Sequence, residues 1–211
     1  MAPITIIVRP SPPLAWVAKQ QSKQNAGWLR KVPDSLPTIW ASLGIPADYA
    51  EARQLPIQRE AQALITIGRT VDRRLIKLTP SAAAAWRRLH AAAARADIAL
   101  RPISGFRSIA RQTAIIRRKL AASIPLAEIL KLVAAPGCSE HHTGCAIDIS
   151  TPEDPSLEEH FARTPAFRWL KKNAGQFGFH LSYPRRNRHR IGYEPWHWCW
   201  RPTGRQRPDP A

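Results

Sequence analysis

At 211 residues the chain is long enough for one domain with a full hydrophobic core, so it needs no disulfide framework to fold. Apolar residues at 44% and charged residues at 22% exclude wholesale disorder, and no run approaches the roughly 20 apolar residues of a membrane span. A formal charge of +17 favours acidic partners, either nucleic acid or an anionic envelope polymer or membrane surface, without choosing between them.

Residues 1–69 are Pro-rich and weakly periodic, and read as an extension packed on the domain, because Trp16, Trp28 and Trp40 need burial. Near the start, "ITIIV" is shorter than the apolar segment of a secretory signal, so no export signal is recognisable. That leaves the cytoplasm, another route of exit, or a missing upstream segment. A short helix fits Leu36 to Ser42, with Pro37 in its first turn and Gly44 and Pro46 ending it. Residues 70–203 carry the main domain, and 204–211 read as a disordered tail.

Within the domain, "RRLIKL" suits a strand. Thr79 is placed to cap a helix over about 81–97, with Pro80 at its first position and Trp86, Leu89, Ala93 and Ala96 on one face. "ALRPISGF" reads as a strand entering a turn. "SIARQTAIIRRKLAAS" forms a second helix, turning Ile109, Thr113, Ile116 and Leu120 inward. Pro125 opens a third, "LAEILKLVA", and a Pro-Gly loop then runs into the strand "CAIDI". Thr164 and Pro165 start a helix containing Phe167, Leu170 and Ala174, with Gly175 as its stop. "FHLSYP" and "EPWHWCW" are the last strands, separated by the basic loop "RRNRHR". Helices mostly precede strands, so the class is α+β: a single domain with a central, mostly antiparallel sheet packed with helices.

Two of these stretches carry unusual polar residues. In "SEHHTGCAIDIS", residues 139–150, His141 and Asp148 flank a turn that Gly144 can close tightly. Asp148 shares a strand face with Ala146 and Gly144, opposite Cys145, Ile147 and Ile149. A carboxylate there is costly unless a cation or donor meets it. Taken alone, the pair reads as a loop histidine and a turn-capping aspartate. "GYEPWHWCW", residues 192–200, puts His197 between two tryptophans with Glu194 three residues earlier. Alone, this His197 reads as a satisfied core residue. Together the stretches supply His141, Asp148 and His197, three zinc ligands that leave a fourth position for water, and Glu194 to take its proton. That is the donor set of a catalytic rather than a structural zinc. His142 competes with His141, although neighbours on an extended chain point apart. A Cys-rich site from Cys138, His141 and Cys145 would leave Asp148 and Glu194 without a purpose. Cys138, Cys145 and Cys199 are odd in number and read as buried, inert thiols.

At this point the sequence resembles a known family. "SEHHTGCAID" fits S-x-H-x-x-G-x-A-x-D, "EPWHW" fits E-x-x-H, and "SGFRSIARQ" resembles S-G-[YF]-R-S-x-x-x-Q. These come in the order found in the D-alanyl-D-alanine carboxypeptidases that act on peptidoglycan stems. Over about residues 70–200 the chain is identified as a member of the LAS-type zinc peptidases, in their vancomycin-resistance carboxypeptidase branch. The resemblance implies the LAS, hedgehog-like fold with zinc in a cleft, and removal of the terminal D-Ala from stem peptides. It implies His141, Asp148 and His197 as zinc ligands and Glu194 as catalytic base. Arg107 would polarise the scissile carbonyl and steady its oxyanion, a task suited to a rigid, permanently charged fork. Ser104, Gln112 and Ser139 would line or support the substrate pocket. Three positions depart from the pattern: His142 stands where Gln is common, Cys145 where a larger apolar residue is usual, and "WHWCW" replaces "WHWRY". None removes a ligand or the base.

The alternatives are an endopeptidase of the L-alanyl-D-glutamate, phage-lysin type, or a non-catalytic peptidoglycan-binding module, which would be expected to have lost a ligand or the base. Nucleic-acid binding has the charge but no motif of its own. "RRNRHR" equally suits contact with an anionic wall polymer.

Overall fold

A computed structural model describes residues 35–202. Trp16, Trp28 and the tail 204–211 lie outside that range. Helix α1 (Ser35–Leu43) buries Leu36, Trp40 and Leu43, apolar positions at helical spacing, and the short α2 (Tyr49–Ala52) follows. Strand β1 (Ile65–Arg69) lies inside the segment read above as extension and pairs antiparallel with β2 (Leu75–Leu78), so the hairpin crosses the 69/70 boundary. "ITIGR" is short and broken by Gly68, which hides it from a pattern of alternation.

Helix α3 (Pro80–Ala94) begins with proline in its first turn, as expected, but Thr79 does not cap it through its side chain; Thr79 Oγ1 lies 3.7 Å from Cys145 Sγ instead. The helix also stops short of residue 97. The amides of Ala96 and Ile98 both donate to Ala93 O, and Asp97 takes a left-handed φ of 56°, which returns Leu100 to the core and leaves Ala96 exposed. Strand β3 (Arg101–Ser104), helix α4 (Ile109–Ala121) and helix α5 (Leu126–Leu132) follow. Ser108 caps α4 by accepting the Arg111 amide.

A 3-10 turn (Glu140–Thr143) leads into β4 (Ala146–Ser150). Helix α6 (Pro165–Asn173) is capped by Thr164 and runs past Gly175 as a further 3-10 turn (Ala174–Phe177); the stop is Gly178 at φ 82°, not Gly175. A Cβ at Gly178 would meet Arg201 O at 2.7 Å. The last strands, β5 (Phe179–Leu181) and β6 (His197–Trp200), are shorter than the apolar runs that contain them, because Glu194–Trp196 form the turn entering β6.

The main sheet runs β3-β4-β6-β5 with every pair antiparallel, so strands and helices interleave within an α+β class. Ile147 and Ile149 on β4 pack with Trp86, Leu89, Leu170 and Trp198 in one core, each buried aliphatic worth about 1.5–3 kcal/mol. A second core joins α1 and α2 to α4 and α5 through Trp40, Tyr49, Ile116, Ile129 and Cys138. Among the described residues no helix is long and apolar enough to cross a membrane.

Candidate active site

Strand register brings the first polar residues together. Asp148 on β4 sits opposite Ser104 on β3 and opposite His197 on β6, so three residues far apart in sequence form one row. His141 enters from the 3-10 turn. Ser139 caps that turn by accepting the His141 amide at 3.4 Å, and Gly144 closes it at φ 65°, its carbonyl accepting the Thr79 amide. Left-handed backbone of this kind favours glycine.

Each imidazole is oriented through its outer nitrogen. His141 Nδ1 donates to Gly105 O at 2.7 Å, which leaves Nε2 facing Asp148 Oδ2 at 3.2 Å. His197 Nε2 meets Glu140 Oε2 at 3.0 Å, leaving Nδ1 at 3.1 Å from Asp148 Oδ1 and 3.8 Å from Glu194 Oε2. The Gly105 bond assigns the His141 tautomer, with its proton on Nδ1, whereas His197, with a carboxylate at each nitrogen, is held here as the imidazolium. Carbonyl and carboxylate partners on the outer nitrogen are what steady a metal-ligating histidine. The donor atoms of His141, Asp148 and His197 lie within 4.8 Å of one another, and all three residues are buried. Tetrahedral zinc with bonds of about 2.0–2.2 Å needs donor separations of roughly 3.3–3.6 Å, so the trio fits the ion with small adjustments.

The charges follow from this packing. Burial drives the His141 pKa down to about 4, against the pull of Asp148. Burial also opposes charge on His197, but hydrogen bonds to Asp148 and Glu140 outweigh it and raise the pKa to about 10. Burial pushes Asp148 upward, yet the two histidines hold it well below the usual carboxylate range. Glu140 is likewise lowered to about 2, because the His197 bond overrides burial. Glu194, buried with no such bond, is raised to about 7, mainly by desolvation.

Arg107 stands beside this cluster. Its amide donates to His141 O at 3.1 Å; its guanidinium donates to Gln112 Oε1 at 3.1 Å and Ser104 Oγ at 3.3 Å, and lies 3.6 Å from Asp148 Oδ2. Gln112 is itself anchored by Ala134 O at 2.6 Å. A cleft of about 280 Å³ opens over the cluster, lined by Arg107, Gln112, Ser139, His141, Asp148, Glu194 and His197 with apolar Leu132, Tyr183 and Trp196. Gln112 and Ser139 therefore face the cleft, whereas Ser104 lies behind Arg107 and holds it.

His142 does not reach the cluster. It is fully buried, with Nδ1 donating to Arg107 O at 2.5 Å and Nε2 accepting the Gly137 amide at 3.1 Å. Both nitrogens are used, so its departure from the usual Gln concerns the backbone of Arg107 rather than pocket contacts. Cys138 and Cys199 are buried and their thiols pushed up by desolvation, but Cys145 is half-buried, contrary to the packing reading. Sequence reasoning passed over Glu140, an unspecified position between Ser139 and His141, the Gly105 carbonyl, and Tyr183, whose ring lies 4.9 Å from that of His197. Only the adjacency of Glu140 to His141 offered a signal.

Residues 75–203 match the family model described as VanY: D-alanyl-D-alanine carboxypeptidase. The protein YodJ of Bacillus subtilis (strain 168) is 32% identical over 178 residues, covering 80% of this chain and 64% of YodJ. The chain spans about two thirds or less of the curated relatives it matches. Among solved structures, the LdcB LD-carboxypeptidase is 30% identical with a TM-score of 0.61, covering 69% of this chain and 71% of that one. VanYB in complex with D-alanine-D-alanine is 26% identical with a TM-score of 0.53, covering 69% and 80%.

Proposed function

The chain belongs to the VanY family of D-alanyl-D-alanine carboxypeptidases, and from that premise we propose that it is a zinc-dependent carboxypeptidase removing the terminal D-Ala from peptidoglycan stem peptides. The observation that carries this reading is the convergence of His141, Asp148 and His197 in one cleft with a base on one side and a guanidinium on the other. His141 Nε2, an Asp148 oxygen and His197 Nδ1 would hold the ion. A bound Zn²⁺ would lower the pKa of the attacking water and polarise the scissile carbonyl.

The chain's own groups supply the rest. Glu194, raised to about 7, takes a proton from the water as the C–O bond forms and charge moves onto the carbonyl oxygen, then passes that proton to the leaving amine as the amide C–N bond breaks. Arg107, fixed by Ser104 and Gln112, meets the charge that develops on the carbonyl oxygen. Ser139 and Gln112 border the space where the peptide lies. Exposed Arg186, Arg188 and Arg190 of the basic loop support contact with an anionic wall polymer.

Zinc-loaded protein is incubated with a stem pentapeptide ending in D-Ala-D-Ala, and the product mass is measured. Loss of one alanine is expected. Cleavage inside the stem would favour the endopeptidase reading, and binding without turnover the binding module. Likeness to the LdcB LD-carboxypeptidase favours a second reading, in which the D-residue leaves from an L-residue; a tetrapeptide substrate separates the two.

A further inference from the structure

Arg107 lines two pockets, and only one of them holds the zinc ligands. The other, of about 240 Å³, is formed by the hairpin loop after β1, by β2, by the end of β3 and by the first two turns of α4. Its polar lining is Thr70, Arg74, Ser104, Arg107 and Arg111, over an aliphatic floor that includes Ile103 and Ile115. Among the described residues, three guanidinium groups and no carboxylate line it.

The guanidinium of Arg107 is the shared wall. Its Nη1 is held by Gln112, which faces the zinc cleft, and its Nη2 by Ser104, which faces the second pocket. The other two arginines are uncommitted or nearly so. Among the described residues Arg111 makes no side-chain hydrogen bond or ion pair, and it is exposed. Among the described residues Arg74 pairs only with Asp72, both more than half exposed, and such a surface pair is worth little. Leu75, 45% exposed, adds apolar surface beside these charges. A ligand matched to this lining has an anionic group on an aliphatic backbone.

We propose that this second pocket is a subsite for a carboxylate that the stem peptide carries upstream of the scissile bond, bound by Arg111 and Arg74. The inference rests on the carboxypeptidase reading. A stem pentapeptide has two candidate carboxylates besides its terminus: a side-chain carboxylate where the third residue is diaminopimelate, and the free α-carboxylate of the γ-linked D-glutamate. In an extended chain these residues lie one and two positions before the acyl residue, the third residue roughly 3.5 Å away and the γ-linked D-glutamate farther, since its linkage adds two methylene groups to the backbone. A pocket that shares the Arg107 wall with the catalytic cleft adjoins the space that such upstream residues would cross. Forked guanidinium groups bind carboxylates through charge-assisted hydrogen bonds.

Steady-state kinetics of the zinc-loaded full chain are measured on four pentapeptides, the two carboxylates being free or amidated in every combination. Amidating the group that occupies the pocket should raise KM about tenfold with kcat little changed. Arg111→Gln should raise KM by a similar factor on the free acid and add nothing on the matching amide; Arg74→Gln serves as the second variant. The position whose amide removes the effect identifies the source. Equal KM on all four peptides, or Arg111→Gln effects that multiply with amidation, overturns the subsite while leaving the carboxypeptidase intact. Failure to release D-Ala from any of the four would overturn the carboxypeptidase reading itself.

Discussion

Glu194 sits 3.8 Å from His197 Nδ1, beside the three residues proposed to hold zinc, and is proposed as the base. Glu194→Gln keeps its shape and removes the proton acceptor, so zinc should be retained and D-Ala release should fall about 10²-fold to 10⁴-fold. A base must be ionised to act, and burial raises this one to about 7, so kcat/KM should drop as pH falls below that value. The added positive charge of the ion moves the limb lower, never higher, and the limb should vanish in the variant. Arg107→Lys exchanges a two-armed contact for a point charge and should cost roughly 10²-fold in kcat/KM with folding and zinc intact. Wild-type kinetics there would show that the charge acts elsewhere. At His142 the effect is on stability: Leu would strand a buried carbonyl and a buried amide, costing about 2–4 kcal/mol in urea unfolding, whereas Gln can satisfy both.

Turns and helix packing set the ligand geometry at the next scale. Gly105 supplies the carbonyl that orients His141, and a Cβ there would lie 2.4 Å from Lys77 O, the acceptor of the Phe106 amide. Gly105→Ala must therefore push β3 from β2 and displace that carbonyl. Zinc affinity should fall about 10-fold to 100-fold by chelator competition. Gly175→Ala, with nothing within 4 Å of the new atom, is the control that should change nothing. Helix α1 bears on the same site through the loop that precedes it. Trp40 is buried in the second core and its Nε1 donates to Pro136 O at 2.8 Å, in the loop that delivers Ser139 and His141. Trp40→Ala should cost about 3–5 kcal/mol of unfolding free energy. Helices were legible from sequence because their signals are local: α4 and α6 fall close to where apolar spacing puts them, and α1 to where Pro37 and Gly44 bound it. Strand β1 was not, since its pairing with β2 rather than its own pattern makes it a strand.

Across the whole molecule, metal and proton compete for the same nitrogen. His197 without metal is held protonated to about pH 10, and zinc requires its Nδ1 lone pair, so binding must expel a proton. Apparent zinc affinity should rise about tenfold per pH unit between about pH 7 and 9, and an affinity independent of pH would show that His197 is neutral at the outset. Stability of the metal-free chain follows the same groups. His141 and Glu140 have lowered values, so their contributions are present above the ordinary 6.5 and 4.5 and are lost as pH falls toward 4 and 2. His197 is raised, so its contribution is complete below 6.5 and is lost as pH climbs through 10. Glu194 is raised to about 7, so its contribution is lost as pH climbs from 4.5 and offsets that of His141. Thermal melting of metal-free protein should therefore peak over about pH 4.5–6.5 and weaken on both sides, with zinc restoring the alkaline side.

The chemical types of the cleft residues, and the helices that carry some of them, were determined by the sequence alone. His141, Asp148, Glu194 and His197 stand at short spacings in two stretches, and both residue type and local spacing are properties of adjacent sequence. Tertiary structure alone decided which nitrogen of each imidazole faces the cluster. That choice rests on Gly105 binding His141 across 36 residues and Glu140 binding His197 across 57. It also decided that Arg107 separates two pockets, and that His142 holds the Arg107 backbone instead of competing for metal. Such contacts are fixed by strand register and turn closure, which depend on how distant segments pack, and no pattern within a single stretch encodes them.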